Sequence, residues 1–467
     1  MLPTTYDASQ GVHMAHYFGT DGIRGVAGKD LTAEFALKLG RAAGELIREK
    51  GWEKKVVIGR DSRISGPMLE SALTAGLMSV GIDVHVAGIT PTPVIAFLAR
   101  HYEFPLGCVI SASHNPIEDN GIKFFDIRGM KLEEELETRI EELIESDPVE
   151  TREFIGADIG ILHDASSRVN EYVRHMVDIG QDKLRGMKIV VDAAYGAAAM
   201  LSPSVFTLLE AQIIPMNCIA DGSQINVNCG ATNVEACREM VARTGADFGV
   251  ALDGDADRAI LVDENGNVVD GDQVLAMWGL HLLDRGELKN DSVVGTVLSN
   301  QGLEVALNGG GGKLLRAPVG DKYVMREMLA SGAKIGGEQS GHLIFLDHHT
   351  TGDGILTAVM TGLLMKETSR TLSDLALQMT RYPQVQLNIN VRNKKAALED
   401  DGIKSGIEEL SNAMTKSSGR LLVRPSGTES VIRVMTEAPD ETEARKVAEM
   451  AIDLFRQFSE NGIVTEL

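Results

Sequence analysis

The chain has 467 residues, and its 45 Lys and Arg side chains stand against 67 Asp and Glu side chains, a formal net charge of −22. This acidic balance disfavours nucleic acid and anionic membranes as partners, because both are themselves negatively charged. The length exceeds what one hydrophobic core usually supports, so about three to four domains are expected. Since no apolar run approaches about 18 residues, no membrane-spanning helix is predicted.

The first 13 residues, MLPTTYDASQGVH, have neither the basic region nor the apolar core of a secretory signal. We expect residues 1–13 to be a disordered leader or added residues, with Met14 as an alternative start. The four cysteines form no CxxC pair, which is typical of a reducing compartment and argues against a structural zinc site. A cytoplasmic protein is therefore predicted.

From Phe18 onward, short β-branched runs alternate with helical patterns, which indicates an α/β fold with a parallel sheet. The first elements are predicted as a helix over 31–50, a strand over 56–59, a helix over 66–80, a strand over 84–87, a helix over 90–100, a strand over 106–111 and an acidic helix over 131–146. The strand over 106–111 ends in the polar loop SASHNP, and ligands of open α/β sheets bind beyond such strand ends.

Two further α/β units follow, and the last part of the chain differs from them. The second unit ends in DGDADR and the third contains GEQSGH, so each places a polar loop after an apolar strand. After Pro383, two strands flank the loop RPSGTE with helices on either side, which predicts an α+β domain. We therefore predict four domains, three similar α/β domains with mixed, mostly parallel sheets and a C-terminal α+β domain, at residues 14–164, 165–264, 265–381 and 382–467.

The loop SASHNP leads to the hypothesis that Ser113 is a nucleophile that carries a phosphoryl group. Lys123 follows ten residues later and could donate or accept a proton if neighbouring cations lower its pKa. A Ser-His-Asp hydrolase is the rival interpretation, but the G-x-S-x-G elbow of such enzymes is absent. A plain turn with a histidine cap is the other alternative.

DGDADR places Asp253, Asp255 and Asp257 at alternate positions after an apolar strand. Carboxylate oxygens at this density suit a hard divalent cation such as Mg²⁺, which keeps a coordination position for a phosphate oxygen. The alternative is an acidic turn, although three like charges so close would repel one another without a cation. An EF-hand is disfavoured because Arg258 stands where that motif needs glycine, and Arg258 is expected beside the phosphate.

GEQSGH predicts contacts to a sugar. Glu338 and Ser340 could hydrogen-bond hydroxyl or amino groups, and His342 could act as a second acid or base. A polar turn is the alternative.

RPSGTE has the composition of a phosphate cradle. Because the protein as a whole is acidic, a phosphorylated substrate would need such a local basic site. The proposed cradle consists of Arg424, Ser426, Gly427, Thr428 and, on the following strand, Arg433. A plain hairpin turn is the alternative.

FGTDGIRG adds Arg24 as a weaker phosphate candidate, with a structural turn as its alternative. Arg60 and Arg63, in GRDSRISG, are interpreted as structural.

Together these segments resemble the α-D-phosphohexomutase superfamily, over essentially the whole chain from Tyr17. FGTDGIRG, SASHNPIEDNGIKFF, DGDADR, GGEQSGH and RPSGTE follow one another in the order of that family. INVNCGAT and VGDKYV resemble the branch that acts on glucosamine phosphates. Three positions depart from the family pattern: Ala256 stands for a glycine, Ser430 for a proline, and Lys322, a substrate contact by the resemblance, for an arginine.

The resemblance implies four domains around a central active-site cleft and one Mg²⁺ per site, held by the phosphoserine at Ser113 and the three aspartates. It implies interconversion of glucosamine 6-phosphate and glucosamine 1-phosphate through a sugar 1,6-bisphosphate, on the route to UDP-N-acetylglucosamine. Lys123 and His342 would be the acid/base pair, with Arg24 and Arg258 as phosphate neighbours. A homodimer is possible by the same resemblance. The alternatives are a mutase of mannose or glucose phosphates and a non-catalytic sugar-phosphate-binding protein.

Overall fold

A computed structural model describes residues 17–19, 21–146, 154–181, 183–426 and 430–457. The chain forms two compact units, one extending to Val297 and including residues 315–376, the other comprising residues 298–314 and the chain from Leu377. The expected leader, residues 1–13, lies outside the described residues. Among the described helices, none is long and apolar enough to cross a membrane.

The first sheet of unit 1 is a mixed six-stranded sheet. Its strands are β1 (Ile23–Val26), β2 (Lys55–Arg60), β3 (Asp83–Ile89), β4 (Leu106–Ile110), β5 (Asp119–Asp126) and β6 (Leu162–Asp164), in the order β1-β5-β4-β2-β3-β6. The helices of this part are α1 (Ala33–Glu49), α2 (Gly66–Ser79), α3 (Thr92–His101) and α4 (Glu134–Ser146). Strands β3, β2 and β4 run parallel, whereas β5 is antiparallel to both β4 and β1.

Helix α1 can be predicted from the sequence because its N-terminal cap and its apolar stripe both indicate a helix over the same residues. The Thr32 side chain caps it by accepting the Phe35 N–H, and an apolar stripe that includes Leu39 and Leu46 is fully buried. Gly40 lets α2 approach, since a Cβ there would lie 2.3 Å from the Leu73 carbonyl oxygen.

Strand β5 was not among the predicted elements. It carries Lys123, which pairs with Val109 of β4. Seven of its eight residues are buried, so it lacks the polar–apolar alternation by which a half-buried strand is recognised.

The second sheet consists of β7 (Lys188–Asp192), β8 (Gln212–Met216), β9 (Phe248–Leu252), β10 (Ala259–Asp263) and β11 (Val268–Val269), in the order β11-β10-β9-β7-β8. Its helices are α5 (Val169–Gly180), α6 (Leu201–Leu208) and α7 (Glu235–Thr244). Strands β8, β7 and β9 are parallel, and β10 is antiparallel to β9.

The third sheet contains β12 (Ser292–Thr296), β13 (Lys313–Ala317), β14 (Ile335–Gly337) and β15 (Leu343–Phe345), in the order β13-β12-β14-β15. Helices in this stretch of chain are α8 (Gly271–Asp284), α9 (Gln301–Gly309), α10 (Asp321–Ser331), α11 (Gly354–Thr368) and α12 (Leu372–Ala376). Strands β12 and β14 are parallel, and β15 returns antiparallel to β14.

The three sheets present their polar loops in the same way. Each loop joins a strand to its antiparallel neighbour, as a connection between β4 and β5, between β9 and β10, and between β14 and β15. Each loop therefore follows a strand that is buried throughout, so the position of the first loop residues is set by the packing of that strand.

The C-terminal part of unit 2 is an α+β arrangement, as predicted. An antiparallel sheet in the order β16-β18-β17 consists of β16 (Gln384–Asn390), β17 (Arg420–Pro425) and β18 (Val431–Glu437). Its helices are α13 (Lys394–Glu399), α14 (Asp401–Lys416) and α15 (Glu441–Gln457). The core between sheet and helices includes Ile432, Val434 and Phe455.

Candidate active site

Ser113 lies at the centre of the candidate site in unit 1. Strand β4 ends at Ile110, and the loop that follows holds Ser113 buried, with a left-handed backbone at φ 53°. The Ser113 hydroxyl donates a hydrogen bond to Oδ2 of Asp253 at 2.5 Å. The predicted nucleophile therefore touches the predicted metal site.

Ser111 supports this loop from beneath. Its hydroxyl donates to Oδ2 of Asp61 at 2.7 Å and accepts the Ser113 N–H at 2.8 Å. Both Ser111 and Asp61 are fully buried, so this serine is closed to substrate. Its part is structural.

Three buried carboxylates form the candidate metal centre. Asp253, Asp255 and Asp257 each offer one oxygen, and these oxygens lie within 4.8 Å of one another. Oδ1 of Asp255 and Oδ1 of Asp257 are buried without a hydrogen-bond partner. Burial, then the charges of Asp257 and Asp255, raises the pKa of Asp253 well above its usual range. Orphaned oxygens and mutual repulsion both fit a bound cation.

Lys123 reaches the metal centre from strand β5. Its Nζ lies 2.9 Å from Oδ2 of Asp255, 3.2 Å from Oδ2 of Asp21 and 3.7 Å from Oδ2 of Asp257. Burial alone would lower the pKa of Lys123, but the three carboxylates outweigh it and raise the pKa. The predicted lowering by neighbouring cations is thus wrong, because the three carboxylates outweigh the neighbouring cation Arg24. The geometry keeps Lys123 an ammonium group, a donor of charge and protons.

Two arginines flank the serine and the carboxylates. Arg24 donates to Oδ1 of Asn115 at 3.1 Å and pairs with Asp21, while Nε of Arg258 lies 3.8 Å from Oδ1 of Asp257. In both guanidinium groups Nε is buried without a hydrogen-bond partner. Unsatisfied cationic donors beside Ser113 suit a phosphate group.

His342 lies between the metal centre and the loop before α10. Its Nδ1 is 3.6 Å from Oδ2 of Asp257, and its Nε2 accepts the Gly352 N–H at 3.1 Å. This contact means that the neutral ring carries its proton on Nδ1. That proton points towards Asp257. Burial alone would lower the pKa of His342, but the hydrogen bond with Asp257 and the charges of Asp257 and Asp321 outweigh it and raise the pKa.

The remaining residues predicted from GEQSGH are differently placed. Oε1 of Glu338 accepts the Gly320 N–H at 3.0 Å, and Oγ of Ser340 is buried without a hydrogen-bond partner. Lys322 forms an ion pair with Glu137 of α4, with Nζ and Oε2 2.9 Å apart. Lys322 and Glu338 thus bind other groups of the protein, the Glu137 carboxylate and the Gly320 N–H, whereas the Ser340 hydroxyl is available for a ligand.

Unit 2 carries the candidate phosphate cradle. Arg424 of β17 and Arg433 of β18 are directly opposite each other in the antiparallel register. Ser426 is buried, and its carbonyl oxygen accepts a hydrogen bond from Nζ of Lys394 at 2.5 Å. Like charges in opposed positions of a sheet are unfavourable without an anion between or near them. The other two cradle residues, Gly427 and Thr428, lie outside the described residues.

Two residues that contact the charged groups around Ser113 were not predicted from the sequence. Asp21, in FGTDGIRG, pairs with both Arg24 and Lys123. Thr92, at the start of α3, donates its hydroxyl to Oδ2 of Asp255 at 2.6 Å, and its N–H to the Asp255 carbonyl at 2.9 Å. The motif contained Asp21, but nothing in the TPTP segment indicates that α3 meets the aspartates.

Comparison with known families gives four matches along the chain. The α/β/α domains I, II and III of phosphoglucomutase/phosphomannomutase match residues 15–150, 170–266 and 270–382, and the C-terminal domain matches residues 387–454. The chain belongs to the phosphoglucomutase/phosphomannomutase family. The resemblance to the α-D-phosphohexomutase superfamily is thereby confirmed.

Within the phosphohexomutases, curated relatives of high similarity are named phosphoglucosamine mutase. That of Thermoanaerobacter sp. (strain X514) is 49% identical over 443 residues, 94% of this chain and 98% of the relative. That of Desulforamulus reducens is 46% identical over 441 residues, 94% of this chain and 99% of the relative.

Solved phosphohexomutase structures share the fold. A family protein from Burkholderia thailandensis superposes with a TM-score of 0.80 at 26% identity, covering 96% of this chain and 98% of its own. The N-acetylphosphoglucosamine mutase of Aspergillus fumigatus, solved with GlcNAc-6P and magnesium, gives a TM-score of 0.66 at 17% identity, covering 94% and 95%. At that identity the second comparison concerns the fold alone.

Proposed function

We propose that this chain is a phosphoglucosamine mutase, which interconverts glucosamine 6-phosphate and glucosamine 1-phosphate on the route to UDP-N-acetylglucosamine. One observation carries the mechanism: the Ser113 hydroxyl lies 2.5 Å from Asp253, within a cluster of three buried aspartates. A hydroxyl so placed can carry a phosphoryl group beside a cation. The names of the relatives at 46–49% identity support glucosamine as the sugar.

The reaction has two half-reactions at Ser113. In the first, the Oγ–P bond of phospho-Ser113 breaks, an O–P bond forms at the free sugar hydroxyl, and the hydroxyl proton is balanced by the proton that the released Ser113 Oγ takes up. The product is a 1,6-bisphosphate. In the second, the other sugar O–P bond breaks, Ser113 Oγ loses its proton and is phosphorylated again, and the released sugar oxygen takes up a proton. Added sugar 1,6-bisphosphate would therefore activate unphosphorylated enzyme.

The aspartates and Ser113 would hold one Mg²⁺, which when bound spreads the negative charge of the phosphoryl group under transfer. Lys123, as an ammonium group, stabilises that charge and supplies a proton, and His342 is the second acid/base candidate. Arg24 and Arg258 each carry a buried Nε without a hydrogen-bond partner, and these donors are assigned to the phosphate group. Positioning and charge stabilisation together provide most of the rate enhancement in phosphoryl transfer.

Substrate binding is assigned to the other predicted residues. Glu338, Ser340 and Lys322 would contact the sugar. The cradle, consisting of Arg424, Ser426, Gly427, Thr428 and Arg433, would bind the phosphate that is not being transferred. Because the cradle recognises phosphate and not a particular sugar carbon, the intermediate can bind in both orientations.

A homodimer, a cytoplasmic location and domain boundaries at residues 14–164, 165–264, 265–381 and 382–467 complete the proposal. The test of substrate is kcat/KM for the 1-phosphates of glucosamine, glucose and mannose, each with Mg²⁺ and bisphosphate. We expect glucosamine 1-phosphate to be preferred by tenfold or more, roughly the discrimination of one hydrogen-bonded group. A preference for glucose or mannose 1-phosphate would make the chain a hexose-phosphate mutase, and binding without turnover would make it a sugar-phosphate-binding protein.

A further inference from the structure

Arg63 is buried completely beneath the serine loop, residues 111–119. Its Nε donates to Oδ2 of Asp61 at 2.9 Å. One terminal nitrogen donates to the carbonyl oxygens of Ser113 and Asn115, at 2.9 and 2.8 Å. The other donates to the carbonyl oxygen of Asp119 at 2.9 Å and to that of Pro116. One guanidinium group thus holds four carbonyls of the loop.

Asn226 holds the same loop from the other side. It belongs to INVNCGAT, a segment between β8 and α7 to which the proposed reaction assigns no part. Its Nδ2 donates to the Ser113 carbonyl oxygen at 2.8 Å and lies 3.5 Å from that of Asn115. The Ser113 carbonyl therefore accepts one hydrogen bond from each side.

The backbone of Ser113 makes these contacts important. A serine at φ 53° is strained, and such a conformation persists only where the surroundings enforce it. The metal loop adds to this restraint, since a Cβ on Gly254 would lie 2.6 Å from the Ser113 carbonyl oxygen. Relaxation to a negative φ would turn the side chain and carry Oγ away from Asp253.

We propose that Arg63 and Asn226 form a serine-loop clamp, a pair of positioning residues that keep Ser113 Oγ aligned for phosphoryl transfer. The inference rests on the proposed function, because it concerns the same serine. Neither side chain contacts the reacting atoms; both act through the Ser113 carbonyl. Arg63, which the sequence analysis interprets as structural, would thus also serve catalysis by positioning Ser113.

The decisive comparison is Asn226→Gly with Asn228→Gly. Both asparagines have left-handed backbones, at φ 61° and 53°, which glycine adopts without strain. Asn228 is exposed, and among the described residues its side chain forms no hydrogen bond with the serine loop. Purified protein freed of phosphate is mixed with glucose 1,6-bisphosphate and Mg²⁺, and phosphate on Ser113 is followed over time by mass spectrometry.

We expect Asn226→Gly to slow Ser113 phosphorylation about tenfold at saturating bisphosphate, with the half-saturating concentration unchanged, because alignment and not binding is lost. Asn228→Gly should react at the wild-type rate. Equal rates for wild type and Asn226→Gly would overturn the clamp, as would equal slowing in the two variants.

Arg63→Lys tests the other side of the clamp against Arg60→Lys. Lysine keeps the charge beside Asp61, but its single ammonium group cannot hold four carbonyls. Arg60, on β2, instead pairs with Glu70 at 3.0 Å and donates to the Asp61 carbonyl oxygen at 3.2 Å, without a hydrogen bond to the serine loop among the described residues. We expect Arg63→Lys to slow phosphorylation about a hundredfold and Arg60→Lys to leave it unchanged. A wild-type rate in Arg63→Lys would also overturn the clamp.

If Arg63→Lys does not fold, the comparison of Asn226→Gly with Asn228→Gly is sufficient to test the clamp. Failure of the proposed function would look different, since wild-type protein would then take no phosphate on Ser113 at all.

Discussion

The Ser113 hydroxyl and Oδ2 of Asp253 are 2.5 Å apart, so the proposed phosphate carrier and the proposed metal site share a hydrogen bond. Burial and two like charges raise the pKa of Asp253, which favours its protonated form when no cation is bound. A cation would reverse that preference. Occupancy of the metal site and the readiness of Ser113 to receive phosphate should therefore depend on each other.

Metal binding is expected to stabilise the protein. Mg²⁺ should raise the Tm of the wild type, measured calorimetrically after EDTA treatment, and should leave Asp257→Asn unchanged because a ligand is lost. Without metal, Asp253→Asn should melt a few degrees above the wild type, since it removes a carboxyl group whose ionisation is opposed by burial and by the charges of Asp257 and Asp255. A Tm below that of the wild type would contradict the account of the repulsion.

Lys123→Met should impair both activity and stability. Two buried carboxylates, Asp255 and Asp257, and the half-buried Asp21 lose their shared cation, a change that typically costs about 3–5 kcal/mol when no metal replaces it. Loss of a charged proton donor should lower kcat by about 10²–10⁴. Urea unfolding and steady-state kinetics measure the two effects. Lys123→Arg, which keeps the charge, should restore most of the stability.

Lys322→Ala tests the predicted sugar contact. If Lys322 leaves Glu137 to bind substrate, the variant should raise KM about tenfold and change kcat little, since binding energy is lost equally in ground and transition state. Arg326→Ala is the matched control, because Arg326 is one turn further along α10 and exposed. An unchanged KM would mean that Lys322 does not contact the substrate and only forms the ion pair with Glu137.

Ala256→Gly should stabilise the protein without loss of activity. Ala256 has φ 56°, a conformation that costs an alanine about 1 kcal/mol more than a glycine. The greater freedom of glycine in the unfolded chain offsets part of this gain. Urea unfolding should show a net increase of about 0.5 kcal/mol. A decrease would mean that the Ala256 methyl group contributes packing that outweighs the strain.

Asp353 should make stability depend on pH. Burial raises its pKa from 3.8 to about 6, against hydrogen bonds from Leu356 N–H and Tyr172. The folded state thus favours the protonated form, whose stabilisation is complete below about pH 4 and lost as pH rises through about 6. Relative to Asp353→Asn, the wild-type free energy of unfolding should fall by about 3 kcal/mol between pH 4 and 7. A constant difference would mean that Asp353 is ionised throughout.

The sequence predicts the loops of the site better than their supports. Ser113 and the three aspartates stand out because polar residues follow apolar strands at short spacing. Strand β5 escaped prediction because burial on both faces removes its periodicity. The environment of Lys123 depends on Asp21, Asp255 and Asp257, which are distant in sequence, so even the direction of its pKa shift required the fold. Arg63 was interpreted only as structural and Asn226 stood out only as part of INVNCGAT, so only the folded chain shows that both hold one carbonyl.

The most direct test is the mass of the intact protein after incubation with glucose 1,6-bisphosphate and Mg²⁺, followed by peptide mapping. The account predicts a gain of one phosphoryl group, located on Ser113 and discharged when glucosamine 6-phosphate is added. A protein that converts glucosamine phosphates while Ser113 stays unmodified would contradict it.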